Sequence, residues 1–279
     1  MPRKILDILI LNLGFSVLLC GFAGAAELLE PQMTIRPGSH HGPQVALTFD
    51  ACNGAVDERI LQALIQHRIK ATIFASARWL KRNPLAVAEL NAHQDLFEVE
   101  NHGARHVPAV DVPMQVFGMT SAGSPQAVAA EITGGADAVR QATGREPLWF
   151  RGAAGKYTVA SIKQINNMRF RLAGYSLLGD GGAMFSKSKT ASTIANARDG
   201  DVIIAHINQP KRPAGLGVIA GILKLKEQGF IFLRLADGVQ DITRPGRDAT
   251  GNGRPGQAPS WLRPREHREC QHKGHACPW

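Results

Sequence analysis

The sequence has little cysteine, four residues in 279, and it lacks the glycine signatures of nucleotide sites. No G-x-G-x-x-G follows its first apolar strand and no Walker loop occurs anywhere, so the usual support for a dinucleotide or nucleotide pocket is missing. Nucleic-acid motifs are absent too, which leaves the positive charge without a nucleic-acid partner. No internal repeat of useful length is visible. With 44% apolar and 20% charged residues, the chain is neither disordered nor collagen-like, and its length suits one α/β domain.

What is present begins with a leader. Arg3 and Lys4 precede the apolar run ILILNLGFSVLLCGFAGA, and Ala23-Gly24-Ala25 supplies an A-x-A site. Residues 1–25 are therefore expected to be a secretory signal peptide cleaved after Ala25; the competing reading is an uncleaved membrane anchor. Both export the rest of the chain, to the periplasm or the extracellular space. In an oxidising compartment, Cys270 and Cys277 are the natural disulfide pair and Cys52 is left over. CQHKGHACPW matches no standard zinc-finger spacing.

The formal charge is +9. Residues from Thr243 onward carry seven Lys/Arg against three Asp/Glu, or +4. This Gly/Pro-rich stretch, 241–279, reads as a flexible basic tail that can touch an anionic envelope weakly. Residues 26–43 form a lead-in. Between them, residues 44–240 alternate apolar runs with helical patterns: QVALTFD, KATIFAS, FEVEN, PLWFR, FRLAGY, DVIIAHI and FIFLRL are strand candidates separated by six helices. Parallel strands joined by right-handed crossovers follow, as an irregular (β/α)7-type barrel of parallel strands with surrounding helices, or as an open doubly wound sheet. A long loop, Val107 to Ser124, is expected to cover substrate.

Polar residues fall where strands end, which is where α/β architectures gather reacting groups. Asp50 ends the first strand, His102 and His106 follow the third, Arg151 ends the fourth, Asp180 follows the fifth and His206 lies near the end of the sixth. Each has an ordinary explanation alone: a turn acid, surface histidines, an ion-paired arginine. The H-x3-H spacing of His102 and His106 places both imidazoles on one side of a helical turn and suits a divalent metal, though no third ligand lies in the motif. Five independent accidents at five strand ends are harder to accept.

From about Val45 to Leu235 the sequence resembles the polysaccharide deacetylases with a NodB-homology domain, carbohydrate esterase family four. The resemblance rests on TFD at 48–50, HGARH at 102–106, FRGAAG at 150–155, the Asp180 segment and IIAH at 203–206. It implies an irregular (β/α) barrel that uses a divalent metal, usually zinc, to remove acetyl groups from an N-acetylated polysaccharide. By the same resemblance His102 and His106 hold the metal and Asp50 is the general base. His206 protonates the departing amine, Asp180 orients His206, and Arg151 holds Asp50. Amide hydrolysis needs an activated water, an oxyanion stabiliser and a proton donor, and this set can supply them.

One departure matters most. The family's text is TFDD, whose second acid is the third metal ligand; here that position is Ala51. The shell is then two histidines and water, or is completed by Asp57, Glu100 or Cys52, or takes Asp50 itself. Gly152, Ala153 and Ala154 stand where the family often has proline, and no tryptophan follows Asp180, so the sugar-facing wall differs. A catalytically silent glycan-binding barrel and a hydrolase of another amide are the competing functions.

Overall fold

The computed structural model describes residues 27–36, 42–238 and 240–243. The expected signal peptide and nearly all of the tail, with Cys270 and Cys277, lie outside the described residues. In chain order the elements are β1 (Gln32–Ile35), β2 (Gln44–Ala51), α1 (Glu58–Gln66), β3 (Ala71–Ala75), α2 (Ala77–Arg82), α3 (Pro84–Ala92) and β4 (Phe97–Asn101). A small hairpin, β5 (Gln115–Val116) and β6 (Met119–Thr120), precedes α4 (Pro125–Thr143) and β7 (Trp149–Phe150). Then come α5 (Val159–Asn167), β8 (Arg171–Leu172), β9 (Leu177–Leu178), α6 (Lys187–Ala195), β10 (Val202–His206), α7 (Ala214–Glu227), β11 (Ile231–Leu233) and β12 (Gln240–Thr243).

The main sheet runs β8-β7-β4-β3-β2-β10-β9, with β11 paired to the start of β2. Every pairing in it is parallel, as strands separated by helical crossovers must be. All seven expected strands are found, and the sheet curls into a half-barrel flanked by helices. Its two edges, β8 and β9, are joined only by Ala173–Ser176. The lead-in segment, without an expected element of its own, lies along this seam as β1. The Met33 N–H donates to the Tyr175 carbonyl at 3.4 Å and the Ile35 N–H to the Gly200 carbonyl at 2.9 Å. A side chain at Gly174 would run into the Pro31 carbonyl, so glycine is what lets β1 approach.

Strand alternation sorts the core. On β2, Val45, Leu47, Phe49 and Ala51 face the helices, in a cluster with Ile60, Leu64, Trp79, Ile203 and Val218. Ala46, on the opposite face, joins Met33, Phe74, Trp149 and Val202 inside the curl. The helices start where short polar side chains satisfy free N–H groups: Asp57 caps α1, Ser76 caps α2, Ser124 caps α4 and Thr158 caps α5. The stretch from Ala77 to His93 holds two helices. Asn83 ends α2 and Pro84 begins α3, because proline's missing N–H breaks a helix interior but suits a first turn.

Candidate active site

β2 delivers its polar residues by the same alternation. Thr48, Asp50 and, one step past the strand, Cys52 point into the curl, opposite to Phe49 and Ala51. Arg151, just after β7 and 1% exposed, reaches across. Its guanidinium donates to Asp50 Oδ1 and to Thr48 Oγ1, both at 3.0 Å, and to the Gly174 carbonyl at 2.9 Å, while stacking 4.3 Å from the Phe74 ring centroid. Burial alone raises the Asp50 carboxyl, but the charges of His102, Arg151 and His206 outweigh it and hold the group below its ordinary value. Asp50 is thus an anion fixed by one oxygen, with Oδ2 lying 3.8 Å from His102 Nε2.

His102 follows β4 and is 1% exposed. Its Nδ1 lies 2.6 Å from the Arg151 carbonyl oxygen. A carbonyl only accepts, so Nδ1 carries the hydrogen and Nε2 of the neutral ring keeps its lone pair towards Asp50 and Cys52, the arrangement common in metal-ligating histidines. Burial lowers the His102 pKa, yet Asp50 and Cys52 together carry it above the usual imidazole range. The negative groups that favour a proton there favour any cation.

His106 meets His102 with ring centroids 4.9 Å apart. The helical turn expected for H-x3-H is not what joins them. The segment is a loop in which Gly103 (φ 86°) and His106 itself (φ 60°) are left-handed, and the glycine inside HGARH was the signal against a helix. The loop is clamped by α4. Glu131, 1% exposed, accepts from the N–H groups of Arg105 at 2.9 Å and Val107 at 3.0 Å, and its own carbonyl accepts from Ala104 N–H at 2.9 Å. A Cβ at Gly103 would sit 2.5 Å from Glu131 Oε1, so the clamp and the glycine require one another. Nothing in the sequence pointed to Glu131.

His206 ends β10 beside Asp50, its register partner on β2. Asp180 binds it twice, accepting from Nδ1 at 3.0 Å and from the His206 backbone N–H at 2.7 Å. Burial lowers the imidazole's pKa, but the charge and hydrogen bond of Asp180, and after them Cys52, leave it well above the ordinary value. With Nδ1 held by Asp180, Nε2 is the end that can pass a proton on.

Cys52, a free buried thiol, has its Sγ 3.5 Å from His102 Nε2. Burial raises a thiol's pKa, but His106 and His102 take this one well below its usual value. Ligand atoms of Cys52, His102 and His106 all lie within 4.8 Å of one another. Three buried soft or borderline donors in one corner fit a divalent transition metal. The other two candidates for a third ligand do not reach this corner. Asp57 is engaged as the α1 cap and in an ion pair with Arg59 at 2.6 Å. Glu100 accepts from the N–H groups of Leu148 at 2.8 Å and Trp149 at 2.7 Å, and burial pushes it up to about 8.

These groups open on a cleft of about 60 Å3 lined by Asp50, Cys52, His106, Arg151, Tyr175 and His206, with the small Ala154, Gly155 and Gly182 at its wall. The long loop expected to cover substrate forms the hairpin β5-β6, hydrogen-bonded back on itself through Ala122 N–H to the Pro108 carbonyl at 3.0 Å and Gly123 N–H to the Val110 carbonyl at 2.9 Å. It lies outside the cleft lining.

Residues 38–173 match the family model described as polysaccharide deacetylase. No curated protein matches the chain by sequence. Among solved structures, the chain is similar to the Bc1960 peptidoglycan N-acetylglucosamine deacetylase at 20% identity, with a TM-score of 0.59 over 72% of this chain and 90% of that one. It is similar to the peptidoglycan deacetylase PdaC from Bacillus subtilis at 19% identity, with a TM-score of 0.58 over 72% of this chain and 91% of that one. A CE4 family pseudoenzyme from Bacillus anthracis is similar at 21% identity, with a TM-score of 0.56 over 72% and 66%. A mutant pseudoenzyme of the same name with restored enzymatic activity is similar at 22%, with a TM-score of 0.58 over 72% and 68%. At such identities these structures speak for a shared fold. The family match identifies residues 38–173 as a polysaccharide deacetylase domain.

Proposed function

We propose that the protein is an exported, metal-dependent N-deacetylase acting on an N-acetylated polysaccharide of the cell envelope or extracellular space. The observation that carries this reading is the convergence of groups from five strand ends: Asp50, His106, Arg151 and His206 line one cleft, and the buried His102 and Asp180 lie against Asp50, His106 and His206. His102 and His106 would hold the metal, zinc being the first choice for imidazole donors. When bound, a divalent metal supplies Lewis acidity that activates water and stabilises oxyanion charge.

The chain's own groups do the rest. Asp50 takes the proton of the attacking water at Oδ2, since Arg151 occupies Oδ1. Arg151 keeps that carboxylate charged. His206 delivers a proton from Nε2 to the departing sugar amine, with Asp180 fixing its ring through Nδ1. A general base and a general acid need opposite protonation at one pH, and Arg151 and Asp180 bias the two groups in those opposite directions.

The silent glycan-binding alternative gains a reason from the likeness to a pseudoenzyme, but it leaves the Asp180–His206 pair without a task. Acetate release from N-acetylglucosamine oligomers, measured on metal-stripped protein with and without added zinc, separates them. Zinc-dependent release that disappears in His102→Ala is expected. Stoichiometric glycan binding with no acetate released at any metal concentration would overturn the enzymatic reading.

A further inference from the structure

Ala51 removes a ligand only if the side chain at that position points at the metal, and here it does not. Ala51 is fully buried in the helix-facing core with Phe49 and Leu61. The next residue is the one that alternation turns inward. Resting on the metal-dependent reading above, we propose that the Cys52 thiolate is the third protein ligand of the metal, so that this chain has a Cys/His/His centre and Asp50 is left free as base.

Geometry supports this independently of charge. Zinc bonds of about 2.3 Å to sulfur and 2.0–2.1 Å to imidazole nitrogen, at a tetrahedral angle, separate the two ligand atoms by about 3.5 Å. Cys52 Sγ and His102 Nε2 already stand 3.5 Å apart. His106 completes a triangle within 4.8 Å. The His102 Nε2 lone pair faces the sulfur because Nδ1 is committed to the Arg151 carbonyl. Asp50 lies outside that triangle, fastened to Arg151. Three protein donors with a further position open to the cleft is the pattern of a catalytic rather than a structural zinc site.

A thiolate changes what the site selects. Sulfur and imidazole together favour zinc and cobalt, and disfavour the hard oxygen-seeking magnesium and calcium, which a carboxylate ligand accommodates better. The metal also shields the thiolate from oxidation, to which a buried but cleft-lining sulfur in an exported protein is otherwise open.

The test uses the full chain stripped with chelator and reloaded. X-ray absorption fine structure of the zinc-loaded wild type should show one sulfur at about 2.3 Å beside nitrogen at about 2.0–2.1 Å. Cobalt titration should give a near-ultraviolet sulfur-to-metal charge-transfer band that is lost in Cys52→Ser and in Cys52→Ala. Both variants should bind cobalt more than about 100-fold more weakly, exceeding the loss typical of an outer-shell partner. Because the absorption measurement uses wild type alone, it stands even if a variant folds poorly. Metal bound in an all-nitrogen-and-oxygen shell, or a charge-transfer band that survives in Cys52→Ser because the tail thiols supply it, would overturn the thiolate ligand and leave the deacetylase reading intact. Failure of the wild type to bind zinc or cobalt at all would overturn both.

Discussion

The Asp180 carboxylate holds His206 at two points, accepting from ring Nδ1 at 3.0 Å and from the backbone N–H at 2.7 Å. The double grip fixes the ring and keeps its proton. His206 is raised well above 6.5 and Asp50 is lowered from 3.8. The acid form of one and the base form of the other therefore coexist across neutral pH, and kcat should plateau there. Activity falls on the alkaline side as pH rises through the His206 value, and on the acid side as pH drops through that of Asp50. In Asp180→Asn the carboxylate charge that raises His206 is gone, so the alkaline limb should move to lower pH while the acid limb stays. A pH profile of acetate release with both limbs unmoved would show that Asp180 does not govern the proton donor.

Arg151 is buried together with Asp50. Removing one partner leaves the other as an unpaired interior charge, so Arg151→Met should lower unfolding stability by about 3–5 kcal/mol. Arg151→Lys keeps a charge but loses the fork that reaches Thr48, Asp50 and Gly174 together, and should fall between. Urea denaturation of the three proteins decides it; equal midpoints would contradict the ion pair's structural role.

Glu131 touches neither the cleft nor a metal donor, yet it holds the loop carrying His106 through two backbone N–H groups. Glu131→Ala should weaken zinc binding by roughly 10–100-fold, as loss of supporting partners commonly does, with kcat recovered at saturating zinc. Chelator competition reads the affinity. An unchanged affinity would mean that the loop holds its shape without the clamp.

Ala51→Asp, the change that rewrites TFDA as TFDD, places a carboxylate among Phe49, Leu61 and their neighbours. If β2 keeps its register, the variant should be destabilised by about 3–5 kcal/mol, the cost of an uncompensated buried charge, and its zinc affinity should not rise. Tighter zinc binding in a stably folded Ala51→Asp would show that the end of β2 re-registers and that residue 51 can face the metal.

Much of this was legible in the residues. The long apolar runs ending in Asp50 and His206 fixed the strands β2 and β10, and alternation of apolar and helical segments gave the parallel sheet. Short or irregular pieces were not. β1 is four residues of mixed polarity whose burial comes from the seam it covers, a tertiary fact with no local signal. Cys52 was one of three candidates to complete the metal shell, and counting two residues at a time from Thr48 and Asp50 would have singled it out, since period two continues past the strand end. Glu131 sits on another helix, and only the folded chain brings it to HGARH.

In the proposed site two imidazoles and their neighbours form a cation site beside a free carboxylate. An anomalous difference map at the zinc edge, from crystals of metal-stripped protein soaked in zinc, tests it most directly. The predicted result is one dominant peak bonded to His102 Nε2 and His106, with Asp50 outside the first coordination sphere. A cleft without a peak, or a metal ligated by Asp50 with Cys52 turned away, would contradict it.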